Sequence, residues 1–275
     1  MVSPIAIYRK GGFGDRLLAA QTTAILIDAG INALWHDDSP DMLALCDVPK
    51  YNGELPAINW WWHYSPEHYW DGRSFIRKAL DNFAADFRTE AIPETRRFVP
   101  VHYVDDPAIE GVDVAICSSC GHWSKYREYP WMSAVKQELD RRGIKWVDMS
   151  ERGIVGNDAL NLAKKSRLYL GIDTGMSHYV AGVVRKGLIL QSGFSNPALW
   201  APRYGFDFLS VKVECGNCFL SSGCQHGHRC MTTMSPKDVA EQIEQRVKHE
   251  QGTCIGDGHQ NRTEAYLQKH SRAKA

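Results

Sequence analysis

The chain has 275 residues, enough for one large α/β domain or two of ordinary size. Its 44% hydrophobic and 23% charged residues are those of a globular protein and exclude a disordered or fibrous chain. With 32 basic residues against 32 acidic ones, no global field selects nucleic acid, a membrane surface or an acidic partner, and any nucleic-acid contact would need a local patch.

Ile5-Ala6-Ile7-Tyr8 predicts a strand, followed by the glycine-rich turn Gly11-Gly12-Phe13-Gly14. A helix is expected from Asp15 to Ala29, with Leu17, Leu18, Gln21, Ile25 and Asp28 at helical spacing and Gly30 as its stop. Ile31 to Trp35 reads as the next strand. Strand, helix and strand over about thirty residues form a βαβ unit and imply a parallel sheet. Trp60-Trp61-Trp62-His63-Tyr64 and His68-Tyr69-Trp70 follow, then a helix from Arg73 to Phe87 and a connection punctuated by Pro93 and Pro100. The tryptophan tract reads equally as a stacking platform for a sugar or base and as a strand whose side chains are core on at least one face.

The alternation resumes with a strand over Val112 to Ile116, ending in Cys117-Ser118-Ser119-Cys120. Pro130 opens a helix with Trp131, Val135 and Leu139 on one face and Gly143 as its stop. Ile144 to Val147 is a strand, Asn157 to Lys165 a helix and Leu168 to Ile172 a strand. Asp173-Thr174-Gly175 leads into a helix reaching Val184, and Leu188 to Leu190 is a further strand. Ser235-Pro236-Lys237-Asp238 starts a last helix with the apolar stripe Val239, Ile243 and Val247. The expected organisation is an N-terminal α/β domain over 1–111, a second over 112–250 and a polar tail over 251–275. No apolar run nears the ~20 residues that cross a bilayer. The first seven residues lack the charged start and long apolar stretch of a signal peptide, so a soluble, cytoplasmic protein is expected.

Four motifs carry chemistry. Gly12 and Gly14 between strand and helix would let a phosphate or acceptor approach the backbone, and Asp15 reads either as a catalytic base or as a carboxylate complementing the helix dipole. Asp173-Thr174-Gly175-Met176-Ser177-His178 follows a second apolar strand; free amides at Thr174 and Gly175 would cradle a diphosphate, with His178 one turn on. An ordinary capped helix is the alternative, and a single Asp-Thr-Gly in an α/β setting is not an aspartic protease. Ser118, Ser119, Lys125 and Arg127 lie past a strand end, on the ligand side of an open α/β sheet. Cys215, Cys218, Cys224 and Cys230 form C-x2-C-x5-C-x5-C with His226 and His228 inside it. Four thiolates suit one tetrahedral Zn or Fe ion in a structural role, because they leave no open coordination position; free or disulfide-forming cysteines are the alternative.

This combination resembles the glycosyltransferase family that contains the ADP-heptose:lipopolysaccharide heptosyltransferases, family 9. The resemblance is strongest from Val112 to about Val247, its best section being Leu168 to Gly182, and includes Trp200-Ala201-Pro202, Cys215, Cys218 and Cys230-Met231. Arg9 and Gly14-Asp15-Arg16-Leu17-Leu18 look like the family's opening strand and helix start. The resemblance implies a GT-B architecture, two Rossmann-like domains facing across a cleft, here with a shortened N-terminal domain. It implies an inverting transfer from a nucleoside-diphosphate sugar, a heptose-like donor among the candidates, to a glycan or other hydroxyl acceptor. Asp15 would be the base; Ser118, Ser119, Asp173, Thr174, Gly175, His178 and a cation from Arg127 or Lys125 would bind the donor. No catalytic divalent ion is expected. The rivals are a glycosyltransferase acting on a modified DNA base and a non-catalytic nucleotide- or nucleic-acid-binding module with a metal knuckle.

Overall fold

The computed structural model describes residues 3–53, 57–61, 73–95, 98–121, 124–196 and 206–249. Two parallel sheets organise them. In the first, β1 (Ile5–Tyr8) lies between β2 (Ala33–His36) and β3 (Ile58–Trp61), with Ile5 opposite both Ala33 and Ile58. In the second, β4 (Val114–Ile116), β5 (Trp146–Asp148), β6 (Leu168–Ile172), β7 (Gly187–Gln191) and β8 (Phe206–Ser210) pair in the order β5-β4-β6-β7-β8, all parallel. Parallel strands require crossovers, and helices supply them.

The helix α1 (Phe13–Asp28) is buried at every position from Leu17 to Leu26. A helix enclosed on all sides carries no polar face, and its two threonines fit only by satisfying their own hydroxyls. Thr22 and Thr23 donate to the carbonyls of Leu18 and Ala19, both at 2.9 Å. After the short α2 (Pro40–Ala44), α3 (Phe75–Phe87) is one-sided, burying Phe75, Ile76, Ala79, Leu80 and Phe83. Ser74 caps it by accepting the Arg77 N–H at 2.9 Å. Trp60 meets Phe83 edge to face at 5.2 Å and donates its indole N–H to Asp86 at 2.8 Å. This tryptophan is core; Trp62 to Tyr64 and His68 to Trp70 lie outside the described residues.

Around the second sheet run α4 (Met132–Arg141), α5 (Met149–Arg152), α6 (Gly156–Lys165) and the last helix, Pro236–His249, while α7 (Gly175–Ala181) packs against α1. Val114, Ile116, Leu168, Leu170, Ile172, Leu188 and Leu190 form one core with Val135, Leu139, Val239, Ile243 and Val247. Trp131 departs from expectation. It stands at the N-cap of α4 with 46% of its surface exposed, because the helix begins one residue later and its inner face starts at Met132.

Several short elements have no counterpart in the sequence reading, among them the single helical turn Arg229–Thr232. The strand β8 pairs on one side only, with β7, so its burial is neither alternating nor complete. The helices α2 and α5 are too short to show a period; α5 is set by Asp148 accepting the Ser150 N–H at 2.9 Å and by Gly153 at φ 64°.

The residues fall into two compact units. One holds the described residues up to Asp105 and Gly175–Val183; the other holds Asp106–Thr174, Val184–Ser195 and the described residues from 206 on. No described helix is long and apolar enough to cross a membrane.

Candidate functional site

In an open parallel sheet, ligands gather at the carboxyl ends of strands whose connections leave in opposite directions. The orders β2-β1-β3 and β5-β4-β6 put such points at β1/β3 in the first unit and at β4/β6 in the second. The sequence-predicted residues belong to the turns that leave these strands.

In the first unit the chain passes from β1 through Arg9 to Gly12, the extended N-cap of α1. A glycine has no side chain to cap with, and Asp15, at the third helical position, does so instead. Its Oδ2 accepts the Gly12 N–H at 2.9 Å, and its Oδ1 stands 3.4 Å from Arg9 Nη2. A Cβ at Gly11 would sit 2.8 Å from Asp15 Cβ, so the missing side chain there is what lets the carboxylate fold back. The Arg9 and Asp15 side chains are 10% and 16% exposed. Arg16 is committed elsewhere: Nε donates to Asp37 Oδ2 at 2.7 Å and Nη2 pairs with Asp37 Oδ1. Gly14 has a packing reason of its own. A Cβ on Gly175 would stand 2.5 Å from Gly14 N and 2.9 Å from Phe13 Cδ1, so the starts of α1 and α7 meet backbone to backbone. His178 lies against the same spot, 3.4 Å from where a Gly14 Cβ would be, and is buried.

In the second unit Ser118 and Ser119 follow β4, half-buried and exposed, and the Ser119 N–H donates to Ser150 Oγ at 3.3 Å. Lys125 to Arg127 form a 3-10 turn capped by Ser124. Within it the two candidate cations differ. Lys125 Nζ pairs with Glu128 at 2.9 Å and is largely exposed; hydrogen bonding to Glu128 raises its pKa. Arg127 Nη1 donates to the carbonyl oxygen of Asp173 at 3.2 Å, and its guanidinium lies 5.6 Å from the Phe194 ring centre. Its Nε is buried and has no hydrogen-bond partner among the described residues. Asp173 and Thr174, at the end of β6, are 7% and 8% exposed. The Asp173 carboxylate accepts the Ser195 hydroxyl at 2.7 Å.

The cysteine loop belongs to this second unit. Cys215, Cys218, Cys224 and Cys230 line one cavity of about 20 Å3 together with His226 and His228. Burial raises the Cys230 thiol pKa, the Gly193 N–H opposes this, and Cys218, Cys215 and Cys224 raise it further. The donor set therefore matches a tetrahedral Zn or Fe ion in kind and number. Among the described residues no three His, Cys, Asp or Glu side chains stand close enough together to hold a metal ion, and the four sulfurs are free thiols. The His228 Nε2 is engaged with the Tyr126 carbonyl oxygen at 2.8 Å, which removes that nitrogen from the candidate ligands. Trp200 to Pro202 and the tail over 251–275 lie outside the described residues.

Sequence reasoning missed Ser195, Phe194, Tyr126 and Asp37. A signal existed for two of them. Phe194 and Ser195 follow β7, the strand beside β6, so they leave the same sheet edge as Asp173.

No protein-family model matches the chain, and no curated protein matches it in sequence. Solved structures do match in fold. The bacterial iron-containing dodecameric glycosyltransferase TibC of enterotoxigenic E. coli superposes with a TM-score of 0.64 at 11% identity, over 90% of this chain and 77% of that one. Another structure of TibC holds ADP-D-β-D-heptose. The ADP-heptose lipopolysaccharide heptosyltransferase II of E. coli gives 0.63 at 10%, over 90% of this chain and 100% of that one. A family 9 glycosyltransferase from Veillonella parvula gives 0.60 at 10%, over 90% and 97%. At these identities the likeness establishes the fold, that of the heptosyltransferases.

Proposed function

We propose that the protein is an inverting glycosyltransferase of GT-B architecture, moving a sugar from a nucleoside-diphosphate sugar to an acceptor hydroxyl. The observation that carries this reading is Arg127, whose buried Nε has no hydrogen-bond partner among the described residues, beside the enclosed Asp173 at the end of β6. Such a cation at a switch point suits a diphosphate, and the fold is shared with TibC, which has been solved with a nucleotide-linked heptose.

In the reaction the acceptor oxygen attacks the anomeric carbon as the bond from that carbon to the diphosphate breaks. The diphosphate leaves with the bonding electron pair, and configuration inverts. Asp15 takes the acceptor proton, having exchanged the Gly12 N–H or the distant Arg9 contact for the hydroxyl. The transition state is oxocarbenium-like, as in glycoside hydrolysis. Negative charge grows on the leaving group, where Arg127 and the backbone N–H groups of Thr174 and Gly175 meet it, with Ser118 and Ser119 as further donors. Lys125, held by Glu128, plays the lesser part. Asp173, fixed by Ser195, orients the strand end that carries these amides.

A Zn or Fe ion held by Cys215, Cys218, Cys224 and Cys230 would supply folding free energy to a loop with few apolar residues of its own. Elemental analysis of protein purified without added metal tests this. About one equivalent is expected, and less than about a tenth of one, with all four thiols titratable in the native state, would remove the metal from the proposal.

Incubation with a panel of ADP-, UDP- and GDP-linked sugars, following thermal shift and donor hydrolysis, tests the reaction. A stabilising shift with one nucleotide class and slow hydrolysis of its sugar are expected. No response to any donor would return the chain to the binding-module reading.

A further inference from the structure

The loop that carries the cysteines holds the residues that flank Arg127. The Cys224 N–H donates to the Tyr126 hydroxyl at 2.9 Å, and the two rings of Tyr126 and His228 meet edge to face at 5.4 Å. His228 Nε2 lies 2.8 Å from the Tyr126 carbonyl oxygen, which can only accept, so this nitrogen carries the proton. Two residues earlier, the Ser124 hydroxyl donates to the Leu220 carbonyl at 2.7 Å while capping the turn that contains Arg127. Across the guanidinium, Phe194 is met edge to face by Phe219 at 5.4 Å, and the Gly193 carbonyl accepts the Asn217 N–H at 2.7 Å. The loop thus touches both the backbone that bears Arg127 and the ring on which its cation rests.

We infer that the cysteine loop is a positioning element for the Arg127 guanidinium, acting through Tyr126 and Phe194. Where it concerns ligand affinity, the inference rests on Arg127 binding the donor diphosphate. The physical reason is the poverty of Arg127's own anchoring. An arginine has several rotatable bonds and gives up rotamer freedom when its guanidinium is fixed. Against this, the described contacts of Arg127 are one hydrogen bond of 3.2 Å and one cation–π contact of 5.6 Å. Its direction is therefore set by what surrounds it, and most of that is held by the loop. The loop is in turn a shape that needs support: Asn217, Phe219 and His228 stand at left-handed φ of 60°, 47° and 57°. Such a backbone conformation is disfavoured for a residue with a side chain and persists only where neighbours determine it. Tyr126 and Phe194 are positioning residues, and an intact loop presents the guanidinium already aimed, so less ordering is left to the ligand.

The test uses the full chain and reads the Arg127 Nε–H resonance by NMR, assigned with Arg127→Lys, alongside ADP, UDP and GDP affinity by calorimetry. Tyr126→Phe keeps the ring but removes the acceptor for Cys224; Phe219→Leu removes the edge contact on Phe194 from the loop side and serves if the first variant does not fold. Either change should move the Arg127 resonance toward that of exposed arginines. Either should also weaken the best-bound diphosphate by about three- to tenfold, the effect of one hydrogen bond or cation–π contact. Combined with Arg127→Ala, neither should weaken it further. A resonance unmoved by both variants would overturn the inference, as would losses that add in full to that of Arg127→Ala. If the wild-type chain binds none of the three diphosphates, the donor reading falls alone, since the resonance still decides whether the loop positions the arginine.

Discussion

Asp15 and Asp173 each lie past an apolar strand at a switch point, beside a glycine-bearing helix start, yet their surroundings differ. Asp15 sits a turn into α1 with its carboxylate turned back on the Gly12 N–H, 3.4 Å from Arg9 and in contact with solvent. Asp173 ends β6 almost fully enclosed, its carboxylate held by the Ser195 hydroxyl and its carbonyl by Arg127. A carboxylate at a helix N-terminus that water reaches can exchange a backbone N–H for a substrate hydroxyl. One held inside by a side chain on the neighbouring strand end instead fixes the backbone beside it. What separates the two is the set of groups facing them, which the shared strand-glycine-helix pattern does not encode.

The largest expected effect tests that division directly. Asp15→Asn keeps an oxygen for the Gly12 N–H but not the proton affinity of a base. Turnover should fall by a factor on the order of 10² or more while diphosphate affinity changes little. Steady-state transfer assays and calorimetry check both halves, and near-normal transfer would reduce Asp15 to a helix cap. Gly175→Ala comes next. Its Cβ would meet backbone, Gly14 N at 2.5 Å, which cannot rotate away, so a loss of about 1–3 kcal/mol is expected in denaturant melts.

Ser195→Ala probes the enclosed side of the comparison. It removes the hydroxyl from a buried carboxylate, and a stability loss of about 1 kcal/mol is expected. Diphosphate affinity should weaken with it while turnover at saturating donor changes little. A turnover loss as large as that of Asp15→Asn would show that the two aspartates do not divide the work as described.

The smallest effect concerns a third carboxylate, Asp38, just beyond β2. The Tyr8 hydroxyl donates to it at 2.5 Å and, with His36 and Lys10 nearby, holds its pKa below the ordinary 3.8. A carboxylate lowered on folding contributes stability that is present above the unfolded value and lost as pH falls through the folded one. Tyr8→Phe should bring the Asp38 titration back toward 3.8, read by NMR of the side-chain carboxyl. An unchanged titration would mean that the hydroxyl contact does not persist in solution.

Much of the fold was legible because it rests on local pattern. Leu168–Ile172 is a run of buried residues in a central strand, and Ser235-Pro236 with Val239, Ile243 and Val247 carries both a start signal and a helical stripe. Local signals also placed the strand-to-glycine turns after β1 and β6, which is why Asp15 and Asp173 stood out from the sequence, and Arg127 stood out past the end of β4. The edge strand β8 and the four-residue α5 left no periodicity to read.

The sequence by itself determined the βαβ alternation, hence parallel sheets, and the chemical kinds of groups gathered in its turns: carboxylates, a flexible cation, hydroxyls and four thiols. Only the tertiary structure decided their partners. Ser195 reaches Asp173 because β6 and β7 are neighbours in the sheet, and Arg127 rests on Phe194 because β4 and β7 flank β6. The cysteine loop meets Tyr126 across about a hundred positions of chain, Cys224 and Tyr126 being 98 apart. Such pairings leave no trace in local spacing, since they follow from the order in which strands pack. That order is selected by the burial of the sheet as a whole and not by any one segment.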